Sequence, residues 1–456
     1  MARSKMTPNS NAALKRIGVF GILFVLALLS IRIFWSLNTP LEVLYRAAHD
    51  DGLFLSRAVD LISGHWLGAY SQMTLMKGPG YPIFLALAAG SGLPVTLSHG
   101  LFQFLVISAA ALAVARLTRS SGFGWATLVI LVFLPACFDP SLQRVMRDQI
   151  YWGQVLLAFV AVAVVVFAPP EGRVARFALA LVAGVLLAWA WLTREEGVWL
   201  IPGLAVLVIG ALIRCWLEKI PVGPIFNILI TVFFGFAVSN LAFITTNKVV
   251  YGSFDGVDFN ERNFKAALAA LQSIDDGNRL EYVPVNSAAR QLAASASPTF
   301  APLAESLKPG GALDGWTEHG CHIYPKTCGD LAGGWFVWAL RDAAAINGFY
   351  ASPQIASQKF GQIAAEIKAA CDAGKLNCHR SILSDIPPMN AQQLLSIPGR
   401  VLKALQIISL ADFQPILPSP LRPAFEAHSL DRPWMFLNYP KIVGPASSSV
   451  EVRSRV

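Results

Sequence analysis

Two adjacent carboxylates, Asp50 and Asp51, and the ammonium group of Lys77 occupy one hydrophilic gap between the first apolar run of the chain and the next. Carboxylates accept or orient a proton, and an ammonium group holds a phosphate. Placed just outside a bilayer, the three suit work on a charged lipid head group. Two later polar loops carry the same mixture: Arg144, Arg147 and Asp148, then Arg194, Glu195 and Glu196. Each residue also has an ordinary structural reading. A carboxylate at a helix start caps it or meets its dipole. Arg147 and Asp148 can form a local ion pair, Arg194-Glu195-Glu196 a solvated loop, and Lys77 can extend its head group out of an apolar layer. Ionisable groups near a bilayer are expensive, so their gathering on one face argues for function.

The elements that must position these residues follow from composition. The chain has 456 residues, and only 14% are charged, against about 25% in an ordinary soluble domain. The shortfall lies before Asn247, so the chain reads as a membrane half followed by a more ordinary half. Its net charge of +8 does not point to nucleic acid, because the basic residues are scattered through short loops rather than clustered on a face. A span needs about 20 mostly apolar residues. Seven are expected, at 17–35, 95–117, 123–138, 151–168, 174–192, 198–213 and 224–245. The block from Tyr81, broken at Gly90-Ser91-Gly92-Leu93-Pro94, adds a short dipping or interfacial helix. The first run is long and lacks a small-residue cleavage site after it, unlike a signal peptide. The spans carry almost no mid-span charge.

Lysines and arginines in short loops mark the cytoplasmic side. One set of ends carries Arg3, Lys5, Lys15 and Arg16, then Arg116 and Arg119, Arg173 and Arg176, and Arg214 and Lys219. The opposite loops, with Asp50-Asp51, Arg144 to Asp148 and Arg194 to Glu196, then face outward, as does everything after Asn247. The expected fold is an all-α polytopic membrane protein. It comprises a membrane domain over 1–246, whose first outer loop is 37–80, and a mainly helical outer domain over 247–456. In the outer half, 394–410 reads as an amphipathic surface helix interrupted by Pro398. Ala356, Phe360, Ile363, Ile367 and Cys371 recur at helical spacing as one buried face.

Four of the six cysteines fall in this outer half, as Cys321-x6-Cys328 and Cys371-x6-Cys378. In an oxidising compartment they read as two disulfides, with three connectivities open. A zinc site is the alternative, since His322 and His379 each adjoin a cysteine, although the spacing fits no common structural zinc pattern. Cys137 and Cys215 fall at opposite membrane faces and read as packed thiols.

The run Asp50-Asp51-x-x-Phe54-x-x-x-Ala58-x-x-Leu61-x-x-Gly64-x-Trp66-Leu67-Gly68, followed by Lys77-Gly78-Pro79-Gly80-Tyr81-Pro82, resembles the first-loop signature of GT-C membrane glycosyltransferases. The likeness is to the bacterial branch of aminoarabinose transferases and protein-mannosyltransferase-like enzymes. Leu192-Thr193-Arg194-Glu195-Glu196-Gly197 is similar to the Arg-Pro-Glu-Gly step of many members, and Tyr251-Gly252-Ser253-Phe254 to the segment that leaves the membrane core. The resemblance covers residues 15–255. It departs from the family in Asp51, where members carry Glu, in Gly78, where they carry Pro, and in having fewer spans.

The resemblance implies a polyprenyl-phosphate-linked sugar as donor and an acceptor that is a glycan, a lipid or a protein. Asp50 would be the general base and Asp51 would orient it or trade roles with it. Lys77 would bind the donor phosphate, while Arg194 and Arg147 would neutralise the leaving polyprenyl phosphate. Tyr81, Asp148, Glu195 and Glu196 complete the implied substrate-binding set. Direct attack with inversion requires no cofactor; a divalent metal, which some members use, stays open, and no residue is singled out as a metal ligand. The implied location is a bacterial inner membrane, with the N-terminus cytoplasmic. A transporter would call for inverted repeats and mid-membrane charge, neither of which is evident. A non-catalytic scaffold is the other alternative, although so many spans with polar residues gathered on one side exceed what an anchor needs.

Overall fold

The computed structural model describes residues 18–38, 41, 49–134, 137, 144–278, 280–379 and 391–410. Among these residues the structure is helical without β-strands, and Ile274 and Cys378 form an isolated antiparallel bridge. The chain divides into two compact units. The first draws on Met1–Gly64, Pro79–Asn240 and Leu405–Val456, the second on His65–Gly78 and Leu241–Ala404.

The first unit holds α1 (Val19–Asn38), α2 (Asp51–Ile62), α3 (Gly80–Gly90), α4 (Val95–Thr118), α5 (Ser121–Val132), α6 (Asp148–Phe167), α7 (Arg173–Trp191), α8 (Leu200–Glu218) and the first part of α9 (Gly223–Tyr251). Among the described residues, six helices are long and apolar enough to cross a membrane: α1, α4, α6, α7, α8 with the turn before it, and α9. They coincide with six of the seven expected spans and make this a multi-pass membrane protein. In hydrocarbon every backbone polar group must be satisfied within the segment, which is why such runs fold as helices. The seventh expected span, 123–138, coincides with α5, whose 12 residues rise only about 18 Å.

Small residues let these helices touch at the backbone. A Cβ on Gly184 of α7 would stand 2.0 Å from the Val232 carbonyl oxygen of α9, and one on Gly124 of α5 would stand 2.7 Å from Ala115 Cβ of α4. Ala158, Ala161, Val162 and Val165 of α6 pack with Ala180, Ala183 and Leu187 of α7. At the C-terminus of α6, the Phe167 carbonyl accepts from Arg214 at 2.6 Å and that of Ala168 from Arg116 at 2.6 Å, so two basic side chains meet the negative end of that helix.

The second unit continues through α10 (Arg262–Ser273), α11 (Ser287–Ala296), α12 (Ala301–Ser306), α13 (Gly315–Ile323), α14 (Gly333–Ile346), α15 (Pro353–Asp372) and the start of α16 (Ala391–Leu410). Its core joins Phe264, Leu268 and Leu271 of α10, Phe336 and Leu340 of α14, and Phe360, Ile363 and Ile367 of α15. The face expected on α15 is buried at Ala356, Phe360, Ile363 and Ile367; Ala370 completes it, while Cys371 is half-buried. Ser352 Oγ accepts from the Ile355 amide at 3.2 Å and so caps α15. Cys321 pairs with Cys328 and Cys371 with Cys378. Both pairs are oxidised, so these four sulfurs do not hold zinc. Cys137 and Cys215 are buried free thiols.

Candidate functional site

Four stretches singled out in the sequence meet within the first unit, at the Asp148 end of α6. Asp50 precedes α2; its carbonyl accepts from the Phe54 amide at 3.0 Å, and its side chain does not cap the helix. Asp51 opens α2 and is fully buried, its Oδ2 accepting from Arg144 Nε at 2.8 Å. Phe54 and Ala58 turn inward with Leu53 and Leu55, whereas Ile62 is exposed.

Gly80 docks on the start of the third loop. Its amide donates to the Leu192 carbonyl at 3.0 Å, and its own carbonyl accepts from Trp189 Nε1 at 3.0 Å. A Cβ at Gly80 would lie 2.1 Å from Thr193 Oγ1, so only glycine permits this approach. Tyr81 is fully buried, edge-on to Phe54 at 5.1 Å, with its hydroxyl 3.2 Å from His99 Nε2. It is therefore a core anchor of the motif, away from solvent.

The charged residues of the second and third loops bind one another. Arg147 Nη1 donates to both Glu195 oxygens, at 2.6 and 2.5 Å. Arg194 donates to Asp148 Oδ1 at 2.7 Å and to Glu196 Oε2 at 3.2 Å, and lies over the Tyr151 ring at 5.3 Å. Burial alone would raise the Glu196 carboxyl, but the Arg194 guanidinium holds it below the usual range. Burial likewise disfavours the charge on Arg194, and Asp148 and Glu196 outweigh it. An anion arriving here would have to exchange with a carboxylate for its guanidinium.

Lys77 belongs to the second unit. It is nearly buried, with its ammonium 5.4 Å from the centre of the Trp338 ring. The stretch that carries it is fastened by backbone and side-chain hydrogen bonds. The Leu75 carbonyl accepts from the Asp258 amide at 2.7 Å, the Gln72 carbonyl accepts from Arg341 Nε at 3.0 Å, and Gln72 Nε2 donates to Asp342 Oδ1 at 3.3 Å. Arg341 is itself buried, between the rings of Phe264 at 5.3 Å and Tyr350 at 4.9 Å, and pairs with Asp258 Oδ2 at 3.1 Å. Burial pushes the Asp258 carboxyl up from its ordinary value, against the opposing pull of Arg341. Trp66 Nε1 donates to Asn247 Oδ1 at 3.0 Å, and the Tyr251 hydroxyl to the Gly68 carbonyl at 2.9 Å.

Two features escaped the sequence reading. Arg32 sits buried inside α1, donating to Gln103 Oε1 and, at 3.2 Å, to the Cys137 carbonyl, while Gln103 Nε2 donates to the Gln149 carbonyl at 3.0 Å. Its signal was present as a lone arginine within an apolar run. Trp338-Ala339-Leu340-Arg341-Asp342 had no functional reading, yet three of these residues hold the stretch that bears Lys77. Comparison with protein-family models, curated proteins and solved structures finds no match to this chain.

Proposed function

We propose that this protein is a membrane glycosyltransferase that moves a sugar, with inversion, from a polyprenyl-phosphate donor to an acceptor hydroxyl. The observation that carries the reading is the packing of Gly80-Tyr81 on Leu192-Thr193, beside the Asp51–Arg144 and Arg147–Glu195 pairs. It brings the end of the first-loop signature onto the Leu192–Gly197 step, two of the stretches that resemble GT-C enzymes. In this mechanism Asp50 takes the proton of the acceptor hydroxyl as its oxygen attacks the anomeric carbon. The bond from that carbon to the phosphate oxygen breaks with its electron pair, releasing polyprenyl phosphate. Asp51, pinned by Arg144, orients Asp50. Arg194 exchanges a carboxylate for the departing phosphate while Arg147, held by Glu195, keeps the loop in shape; the resemblance assigns the donor phosphate to Lys77.

The same reading places these loops on the outer face of a bacterial inner membrane, with the N-terminus cytoplasmic. Support comes from the first unit. Gly124, Leu128 and Val132 of α5 run back along α4, the Cys137 carbonyl meets Arg32 of α1, and Arg144 meets Asp51. The direction of α5 along α4, with Cys137 at α1 and Arg144 at α2, supports a seventh traversal by this part of the chain.

A second reading, a non-catalytic scaffold, is favoured by one observation: Arg144, Arg147 and Arg194 are each already paired with a carboxylate. Donor turnover separates the two. Purified protein in nanodiscs is given a panel of radiolabelled polyprenyl-phosphate sugars beside Asp50→Asn and Lys77→Ala. Release of polyprenyl phosphate by the wild type, reduced by about a hundredfold or more in Asp50→Asn, is the expected outcome. No turnover with any donor, in folded protein, would leave the scaffold.

A further inference from the structure

The second unit presents three aromatic rings together. Tyr282 and Tyr324 stack with centroids 4.9 Å apart, and Trp335 meets Tyr324 edge-on at 6.2 Å. Tyr282 is 46% exposed and Tyr324 38%, so the pair is stacked yet open to solvent.

The backbone beneath them is set at some expense. Val283 donates to the Leu280 carbonyl at 3.2 Å, closing a turn in which Tyr282 has φ +65°. Glycine is the residue suited to such a left-handed turn position, and a bulky side chain there is strained. The strained residue is held by the Gly333 amide, which donates to the Tyr282 carbonyl at 2.6 Å. Tyr324 is fixed as firmly. Its amide donates to the Gly320 carbonyl at 2.8 Å, its carbonyl accepts from the Thr327 hydroxyl at 2.8 Å, and the Cys321–Cys328 disulfide brackets it. Strain kept at an exposed aromatic residue points to a use for the ring.

We propose that Tyr282, Tyr324 and Trp335 form a binding platform for a pyranose ring. The negative face of an aromatic ring attracts the C–H groups of a sugar, and rings held rigid in advance lose little entropy on binding. The flanking charges suit hydroxyls. Lys326 and Glu281 form an exposed pair 3.3 Å apart, which offers donors and an acceptor without net charge and so draws no anionic lipid. That the sugar belongs to the acceptor of the transfer rests on the transferase reading; the binding itself does not.

The full chain in nanodiscs is titrated calorimetrically with malto-, cello- and chito-oligosaccharides. The expected result is saturable binding of at least one series, kept by Tyr282→Phe and weakened about tenfold by Tyr282→Gly and by Trp335→Ala. Because glycine relieves the turn, Tyr282→Gly should melt at or above the wild-type temperature, which separates lost binding from lost folding. Absence of binding in all three series, or binding untouched by Tyr282→Gly, overturns the proposal. So does quenching by brominated acyl chains that Trp335→Phe abolishes, since the rings would then sit in lipid. Sugar binding without donor turnover would keep the platform and remove the transferase. Turnover without sugar binding would do the reverse.

Discussion

Replacing Arg341 with methionine tests how the Lys77 stretch is held. The guanidinium is 1% exposed and its partner Asp258 7% exposed, so water cannot replace either group for the other. Methionine refills most of the volume, leaving the buried carboxylate as the main injury. Removing one member of such a pair costs about 3–5 kcal/mol, which lowers the melting temperature of a unit this size by on the order of 10 °C. The pH dependence has a fixed sign. Burial raises the Asp258 carboxyl above its ordinary value even beside Arg341. A carboxyl raised in the folded state takes up a proton on folding. Its stabilisation is therefore complete below about pH 4, the unfolded value, and is lost as pH rises through the folded value. Without Arg341 the folded value climbs further and the loss deepens. The deficit of Arg341→Met should thus be largest at pH 7.5 and shrink at pH 4.5, as read by thermal melts in nanodiscs at both. Asp258→Asn added to Arg341→Met should recover most of it. Trypsin gives an independent reading, because cleavage after the nearly buried Lys77 should accelerate in the variant. A deficit below about 1 kcal/mol at pH 7.5, or one equal at the two pH values, would refute the reasoning.

Other perturbations follow from the same accounting. Arg144→Ala should cost about 3 kcal/mol in thermal melts, because it strips the guanidinium from a fully buried Asp51. Asp51→Ala should cost only about 1 kcal/mol, since Arg144, 26% exposed, regains water; the reverse order would contradict the burial argument. Gly184→Ala should weaken the contact between α7 and α9 by about 1–3 kcal/mol, seen as earlier loss of the monodisperse peak on heating, whereas alanine at Gly210, whose Cβ would have 3.5 Å of room, should be neutral. Reducing the disulfides, each closing a sequence separation of 7, should cost about 2 kcal/mol apiece, with Cys321→Ser and Cys371→Ser reproducing the two halves.

How much of this the sequence discloses depends on the range of the interaction. The spans are legible because a run of apolar residues must be a helix in hydrocarbon whatever surrounds it; at α5 the apolar run continues past Val132, where the helix stops, so helix and run differ in length there. The convergence of motifs is legible only through Gly80, whose requirement for a bare Cα comes from Thr193, more than a hundred residues on. The fastening of Lys77 leaves no local trace, since Arg341 and Asp342 read as an ordinary pair on a helix until Gln72 is brought to them.

The same limit applies to the charges themselves. An arginine in a polar loop reads identically whether it awaits a phosphate or already holds a carboxylate, and only exposure tells the two apart. Arg147 and Glu195 are 10% and 7% exposed, so parting them would strand both charges. Arg194 is 31% exposed, with Asp148 at 52% and Glu196 at 43%. Within this cluster it is therefore the guanidinium that can release its carboxylates to water while a phosphate takes their place. If the loops bind a donor, Arg194 receives the phosphate and Arg147 keeps the loop in shape. Arg194→Ala should then abolish turnover with little loss of stability, while Arg147→Ala should lose both together.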